Sequence, residues 1–241
     1  MEEKFLITDM HCHVLPGVDD GPDTLEESMK ALREAVRQNV GTMIVTPHFH
    51  PARYKVYASQ IMDGIGLLEE KIREEGLSLR LIPGQECYFF SDLIRELDAG
   101  NVLTMAGTRY VLVEFDTGIM FSSLRNAMRS LTSSGYYPIV AHYERYECLR
   151  DNTERLMQLR YDGAMLQMNF DTLLMKDGFL HKNPWRRLLK EGFVDFLGSD
   201  THGMYFRPPH IGKAVEWMRK DVEPWLTENI LQRNIQLLVN S

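Results

Sequence analysis

Histidines and carboxylates recur along this 241-residue chain in short groups: Asp9-Met10-His11-Cys12-His13, Thr46-Pro47-His48, Gly84-Gln85-Glu86, Glu114, Ala141-His142 and Ser199-Asp200-Thr201-His202. In an extended His11-x-His13 both imidazoles project to the same side, so two ring nitrogens can reach one cation while Cys12 points away. Neutral imidazole and carboxylate form the mixed nitrogen and oxygen ligand set that suits manganese, iron or zinc, and a carboxylate such as Glu86 can bridge two ions. For any one of these histidines a buried, hydrogen-bonded role competes. For the set taken together, the residues point to a metal cluster.

Each group follows an element able to hold it. Seven short apolar runs rich in β-branched and aromatic residues predict strands: Phe5 to Asp9, Thr42 to Thr46, Leu79 to Pro83, Tyr110 to Glu114, Pro138 to Ala141, Ala164 to Met168 and Val194 to Leu197. Helical periodicity separates them. Thr24 with Glu27 makes a capping box ahead of the stripe Leu25, Met29, Leu32, Ala35 and Val36, closed by Gly41. Val56 to Glu75 carries Ile61, Ile65, Leu68 and Ile72 on one face and stops at Gly76. Shorter helices are predicted at Leu93 to Leu97, Leu124 to Leu131, Leu156 to Tyr161 and Trp185 to Leu189, with two more near Ile211 to Met218 and Thr227 to Val239.

This alternation predicts an α/β fold of parallel strands joined by right-handed crossovers, either an open doubly wound sheet or a closed barrel. No Gly-x-Gly-x-x-Gly follows the first strand, so the dinucleotide-binding version has no support. Sites in both architectures lie at the carboxyl ends of the strands. Six of the eight histidines, His11, His13, His48, His50, His142 and His202, fall there, far above the share of the chain those ends occupy. Strand six alone ends without an ionisable group, offering Gln167 and Asn169. With no internal repeat or linker, residues 1–241 read as one domain.

Thirty-four Asp and Glu against 27 Lys and Arg leave a net charge of −7, which disfavours nucleic acid and anionic lipid as partners. Cys12, Cys87 and Cys148 lack Cys-x-x-Cys spacing, which argues against a disulfide framework and for a reducing cytoplasm. The Met-Glu-Glu-Lys start is not a signal peptide, and no run approaches the roughly 20 apolar residues of a spanning helix.

The residues that carry chemistry bring a family into view. The stretch Asp9-Met10-His11-Cys12-His13-Val14-Leu15-Pro16-Gly17-Val18-Asp19-Asp20-Gly21, with Thr46-Pro47-His48, Gly84-Gln85-Glu86, Val113-Glu114-Phe115, Ala141-His142-Tyr143-Glu144-Arg145-Tyr146, Gly198-Ser199-Asp200-Thr201-His202 and Arg207-Pro208-Pro209, spans nearly the whole chain in order. It resembles the polymerase and histidinol phosphatase (PHP) metallohydrolases and, within them, the CpsB/CapC-type bacterial tyrosine-protein phosphatases. The resemblance implies a distorted, seven-stranded (β/α) TIM-like barrel holding two or three ions, most often manganese, with iron or zinc as other candidates. Carried over by motif, one ion takes His11, His13 and Asp200, a second takes Glu114 and His142, and Glu86 bridges them. A third takes Asp20, His48 and His202, with Asp19 competing for the role of Asp20. Arg145 and Arg207 match the family's phosphate-contacting arginines. Tyr143, where Pro or Ile is commoner, and Gly203, where Asn is commoner, depart from the pattern. His50, His181 and His210 match no motif and read as structural or solvated.

The implied reaction is hydrolysis of a phosphomonoester by a metal-bound hydroxide, with the arginines holding phosphoryl oxygens. A cysteine-dependent route needs a thiolate followed six residues later by arginine, but those positions are Val18, Leu93 and Glu154. Phe49, Tyr54, Tyr88, Phe89, Phe90, Phe115, Tyr143, Tyr205 and Phe206 follow strand ends and could line an apolar mouth for a phosphotyrosine ring, or pack loops against the barrel. The resemblance implies a phosphotyrosine protein as substrate, the tail of a bacterial tyrosine kinase of capsule or exopolysaccharide synthesis. The alternatives are a phosphatase of a small phosphomonoester (sugar phosphate, histidinol phosphate or nucleotide) and a non-catalytic metal-binding regulator.

Overall fold

The computed structural model describes residues 6–176 and 183–239; Phe5 of the first predicted strand and His181 lie outside them. Nine strands occur among the described residues, every paired neighbour parallel. The first sheet has the order β1 (Ile7–Cys12), β2 (Val40–Val45), β4 (Arg80–Pro83). The second runs in chain order through β3 (His48–Phe49), β5 (Glu86–Tyr88), β6 (Tyr110–Glu114), β7 (Tyr137–Val140), β8 (Met165–Asn169) and β9 (Phe196–Gly198).

The count differs from seven because two short strands, β3 and β5, follow the expected runs Thr42 to Thr46 and Leu79 to Pro83 where none was predicted. Residues 46–47 separate β2 from β3, and residues 84–85 separate β4 from β5. The Gly84 N–H donates to Val45 O at 2.9 Å and the Glu86 N–H to Pro47 O at 3.2 Å, so the two segments stay side by side. The rung between those bonds would need an N–H at residue 47, and proline has none. The ends of the array also meet. Cys12 bridges Thr201 in parallel, the Asp200 N–H donates to His11 O at 2.7 Å, and the His13 N–H donates to Thr201 O at 2.9 Å. The strands therefore curl round, and the segment after β9 returns to β1.

Period-two alternation gives the curled wall two apolar faces. Ile44, Ile82, Leu112, Ile139 and Phe196 form an inner cluster with Met10 and Met105, completed by Ile235 and Leu238 from the C-terminal helix. Their neighbours Val45, Leu81, Val111, Val113, Val140 and Leu197 face outward into the larger core beneath the helices. Each fully buried Leu, Ile or Phe contributes roughly 1.5–3 kcal/mol.

The helices fall where the periodicity placed them: α1 (Leu25–Arg37), α2 (Ala58–Glu74), α3 (Leu93–Asp98), α4 (Phe121–Ser133), α5 (Thr153–Tyr161), then α7 (Pro184–Lys190) and α8 (Ile211–Asp221) after the short, unanticipated α6 (Phe170–Leu174). Thr24 Oγ1 accepts the Glu27 N–H at 3.3 Å, as the capping box required. Gly41 does not close α1. The chain turns at Asn39, in the left-handed region at φ 67, and Gly41 lies inside β2, where a Cβ would meet the Leu6 side chain at 2.8 Å. At the C-terminus α9 (Pro224–Glu228), a single π turn (Asn229–Arg233) and α10 (Asn234–Val239) replace one continuous helix. No helix among the described residues is long and apolar enough to cross a membrane.

Candidate metal centre

The inner face of several strands changes from apolar to polar towards the carboxyl end. In steps of two, Ile82 is followed by Glu86, Leu112 by Glu114, Met165 by Gln167 and Asn169, and Phe196 by Gly198 and Asp200. One register thus places core below and ligating groups above. Two candidate ligands sit in left-handed backbone, His142 at φ 31 and Asp200 at φ 52, a costly conformation for non-glycine residues that concentrates at functional sites. Gly198 is required where it stands, because a Cβ would lie 2.5 Å from that of His11.

The structure brings all nine expected side chains together. The ring nitrogens His11 Nε2 and His13 Nε2 are 3.2 Å apart, as the shared strand face requires. Glu86 Oε2 lies 3.2 Å from each of these nitrogens, and Asp200 Oδ1 lies 3.6 and 3.5 Å from them. Asp20 Oδ1 is 3.4 Å from His48 Nε2 and 3.2 Å from His202 Nε2. Glu86 Oε1 is 2.8 Å from His142 Nε2. Ligand atoms fall within 4.8 Å of one another in three overlapping groups: His13, Asp20, His48 and His202; His11, His13, Glu86 and Asp200; and His48, Glu86 and Glu114. The last differs from the motif-based pairing, since Glu114 is 3.1 Å from His48 Nδ1 and 3.9 Å from His142 Nε2.

These residues fit divalent cations on chemical grounds. Glu86 and Asp200 are almost wholly buried, and buried carboxylates demand positive charge. His48 Nδ1, Glu86 Oε2 and His142 Nδ1 are buried without a hydrogen-bond partner, in a protein interior where such atoms are ordinarily satisfied. Burial alone would raise the Glu86 pKa, but His11, His48 and His142 hold it well below the usual carboxylate range. Burial likewise pushes His13 down, yet Asp19, Asp200 and Glu86 hold it well above an ordinary histidine. At Asp20 burial is outweighed by His202, His48 and His13, and its pKa falls to about 2.

Asp19 and Asp20, adjacent in sequence, have different surroundings. Asp19 Oδ2 accepts from His13 Nδ1 at 2.9 Å and from the His48 backbone N–H at 3.0 Å, and its Oδ1 accepts from the Gly21 N–H at 3.0 Å. It orients His13, while Asp20 faces the imidazoles of His48 and His202. Sequence reasoning also missed Asp9, whose carboxylate takes the Ser199 backbone N–H at 2.8 Å and the Ser199 hydroxyl at 2.6 Å, tying β1 to the end of β9. Burial raises Asp9 to about 6 despite those bonds.

A cleft of about 210 Å³ opens over the cluster, lined by Asp20, Glu86, Glu114, His142, Asp200 and His202 together with Arg145 and Arg207. Arg145 Nη2 pairs with Asp200 Oδ2, and Arg207 Nη1 lies 2.7 Å from the same oxygen. Both guanidinium groups remain about one-third exposed to the cleft, at 32% and 36%. His50, read as structural or solvated, also lines the cleft with Arg53, whereas His210 does not line it and pairs with Asp171 at 3.0 Å. The apolar mouth is not formed. Of the nine aromatics only Tyr54 lines the cleft; Phe49, Phe115 and Tyr143 are buried in the core, and Tyr205 and Phe206 point to solvent. Cys12 and Cys87 are buried and their thiols pushed up by burial, the opposite of an activated nucleophile.

Comparison with known proteins gives the chain its relatives. The tyrosine-protein phosphatase CpsB of Streptococcus agalactiae is 27% identical over 238 residues, covering 97% of this chain and 98% of that protein. The tyrosine-protein phosphatase YwqE of Bacillus subtilis is 30% identical over 233 residues, covering 97% and 91%. A chain from the crystal structures of YwqE from Bacillus subtilis and CpsB from Streptococcus pneumoniae, metal-dependent tyrosine phosphatases, superposes with a TM-score of 0.87 at 29% identity, covering 97% of this chain and 94% of that one. An organophosphorus hydrolase from Deinococcus radiodurans, at 13% identity and a TM-score of 0.61, shares the fold alone. The model of the capsular polysaccharide synthesis family CpsB/CapC matches residues 7–240, and this chain belongs to that family.

Proposed function

We propose that the chain hydrolyses phosphotyrosine on proteins in a metal-dependent reaction, acting in the cytoplasm on the tail of a bacterial tyrosine kinase that controls capsule or exopolysaccharide synthesis. The observation that carries this reading is the convergence of four carboxylates and five imidazoles beneath two arginines, each about one-third exposed, in one cleft. His11, His13, Glu86 and Asp200 would hold one ion, Asp20, His48 and His202 another, and Glu86, Glu114 and His142 a third within the distorted PHP-type barrel. Manganese is the ion we assign to them. Bound divalent ions supply water activated as a nucleophile near neutral pH and positive charge against the phosphoryl oxygens.

The chain's own residues do the rest. Arg145 and Arg207, braced on Asp200, present planar donors suited to a phosphoryl group that is clamped but not covalently held. Asp19 holds the His13 ring so that Nε2 faces the cluster, and the Asp200 backbone oxygen accepts from His202 Nδ1 at 2.9 Å with the same effect on His202. A phenolate leaving group, whose parent pKa is about 10, departs more readily than an alkoxide and asks less of a general acid.

The test compares turnover of a phosphotyrosine peptide with a panel of sugar phosphates, histidinol phosphate and nucleotides, after chelation and again with added Mn²⁺. Metal-dependent turnover favouring the peptide is expected, with His11→Ala or His142→Ala folded and inactive. Equal or better turnover of a metabolite overturns the substrate assignment, and near-normal rates in either variant overturn the site.

A further inference from the structure

We propose that Gln167 and Asn169 are positioning residues that set the tautomer of His11 and reserve one oxygen of Asp200 for a divalent cation. The inference rests on the metal-dependent reading above and concerns two neutral side chains at the carboxyl end of β8.

The orientation of both amides follows from their neighbours. Gln167 Oε1 lies 2.7 Å from the His142 backbone nitrogen, an obligate donor, so the acceptor end of Gln167 must face it. At the other end Asn169 Nδ2 lies 3.0 Å from Asp200 Oδ2, an oxygen that also takes Arg145 and Arg207 and therefore accepts. Between them Gln167 Nε2 donates to Asn169 Oδ1 at 2.9 Å. The relay runs in one direction, from the His142 N–H to the Asp200 carboxylate, and neither amide can turn over without breaking it.

Two consequences reach the cluster. His11 Nδ1 is 3.1 Å from the same Gln167 Oε1, so Nδ1 carries a proton and Nε2, which faces Glu86 Oε2 and Asp200 Oδ1, is the nitrogen left to a cation. Asp200 Oδ2 is occupied by Asn169 and the two arginines, which leaves Oδ1 for a cation. Gln167 is fully buried and Asn169 is 4% exposed, so bulk water cannot easily replace either partner.

Asp19 is the same device on the opposite side. It takes Nδ1 of His13 and the backbone N–H of His48, as Gln167 takes Nδ1 of His11 and the backbone N–H of His142. A carboxylate at residue 167 could accept both bonds but could not donate to Asn169, and it would add a negative charge beside Glu86 and Asp200. The carboxamide accepts and donates at once, and adds none.

The test uses the full chain, metal-free and with Mn²⁺. Imidazole ¹H–¹⁵N correlations of the metal-free protein, taken at alkaline pH where His11 is neutral, report its tautomer, and chelator competition reports Mn²⁺ affinity. Gln167→Met should turn His11 from Nδ1–H to a tautomer mixture and weaken Mn²⁺ binding by roughly ten- to a hundredfold, the usual cost of losing a group that orients a ligand. Gln167→Glu should keep Nδ1–H, because a carboxylate oxygen still accepts from it. Wild-type tautomer and affinity in Gln167→Met overturn the proposal. If that variant does not fold, Gln167→Glu decides: loss of Nδ1–H overturns it. A wild-type protein that binds no Mn²⁺ would instead refute manganese as the assigned ion, while the metal-free tautomer would still report on the relay.

Discussion

Replacing each of the adjacent carboxylates Asp19 and Asp20 by alanine should produce two different defects. Asp19→Ala removes a side chain that is 0% exposed and accepts from His13 Nδ1, the His48 N–H and the Gly21 N–H. Each of three bonds is worth about 0.5–1.5 kcal/mol net, and a buried donor left unpaired costs about 1–3 kcal/mol. Allowing water to reach the Gly21 turn, the total comes to about 3–5 kcal/mol. At about 2–4 °C per kcal/mol for a chain of this size, the melting temperature should fall by roughly 6–20 °C. The Asp20 side chain is 48% exposed and meets only the imidazoles of His48 and His202, at 3.4 and 3.2 Å. Its loss should cost about 1 kcal/mol or less, as for exposed ion pairs generally. It should nevertheless remove an ion, because it deletes a candidate ligand. The assays are thermal unfolding of metal-free protein and metal content after dialysis against Mn²⁺. Equal destabilisation by the two variants, or full metal content in Asp20→Ala, would refute the division of labour.

Further outcomes follow from the same geometry. Gly198→Ala should destabilise by about 1–3 kcal/mol through overpacking and displace His11, whose Cβ would be 2.5 Å from the added methyl; unchanged unfolding and metal binding would contradict the close approach. Acidification should release metal, because protons compete for imidazoles such as His11 and His13, which burial pushes down but neighbouring carboxylates hold above the ordinary histidine value. Bound Mn²⁺ measured by equilibrium dialysis should therefore drop as pH falls from about 8 to about 6, and a flat profile would count against these ligands. Changing Cys12, Cys87 and Cys148 together to alanine should lower stability through the two buried thiols while leaving kcat within about threefold; a folded but dead variant would contradict a mechanism without a cysteine nucleophile.

What could be read from the residues alone follows a physical divide. Period-two alternation is local, so His11-x-His13 and the ionisable groups at strand ends announced both the wall and the cluster above it. Interruptions are local too in principle: Pro47 lacks the N–H for one rung, a signal that was present and passed over. The turn after α1 was misplaced because glycine outranks asparagine as a left-handed residue, yet Asn39 takes that conformation and Gly41 makes room for Leu6. Aromatic composition misled for a different reason. A ring near a strand end can face the cleft, the core or solvent, and only packing decides, which sent Phe49 inward and Phe206 outward. Gln167 and Asn169 stand out in the sequence as the uncharged end of strand six, yet residue type alone gives neutral amides no role beside a charged cluster. Their i, i+2 spacing nevertheless put both on the ligand-bearing face of β8, where a buried amide must find a donor and an acceptor. Each ligating histidine turns one nitrogen to the cluster and leaves the other in need of a polar partner, and a buried amide on the same face is the neutral group that supplies one.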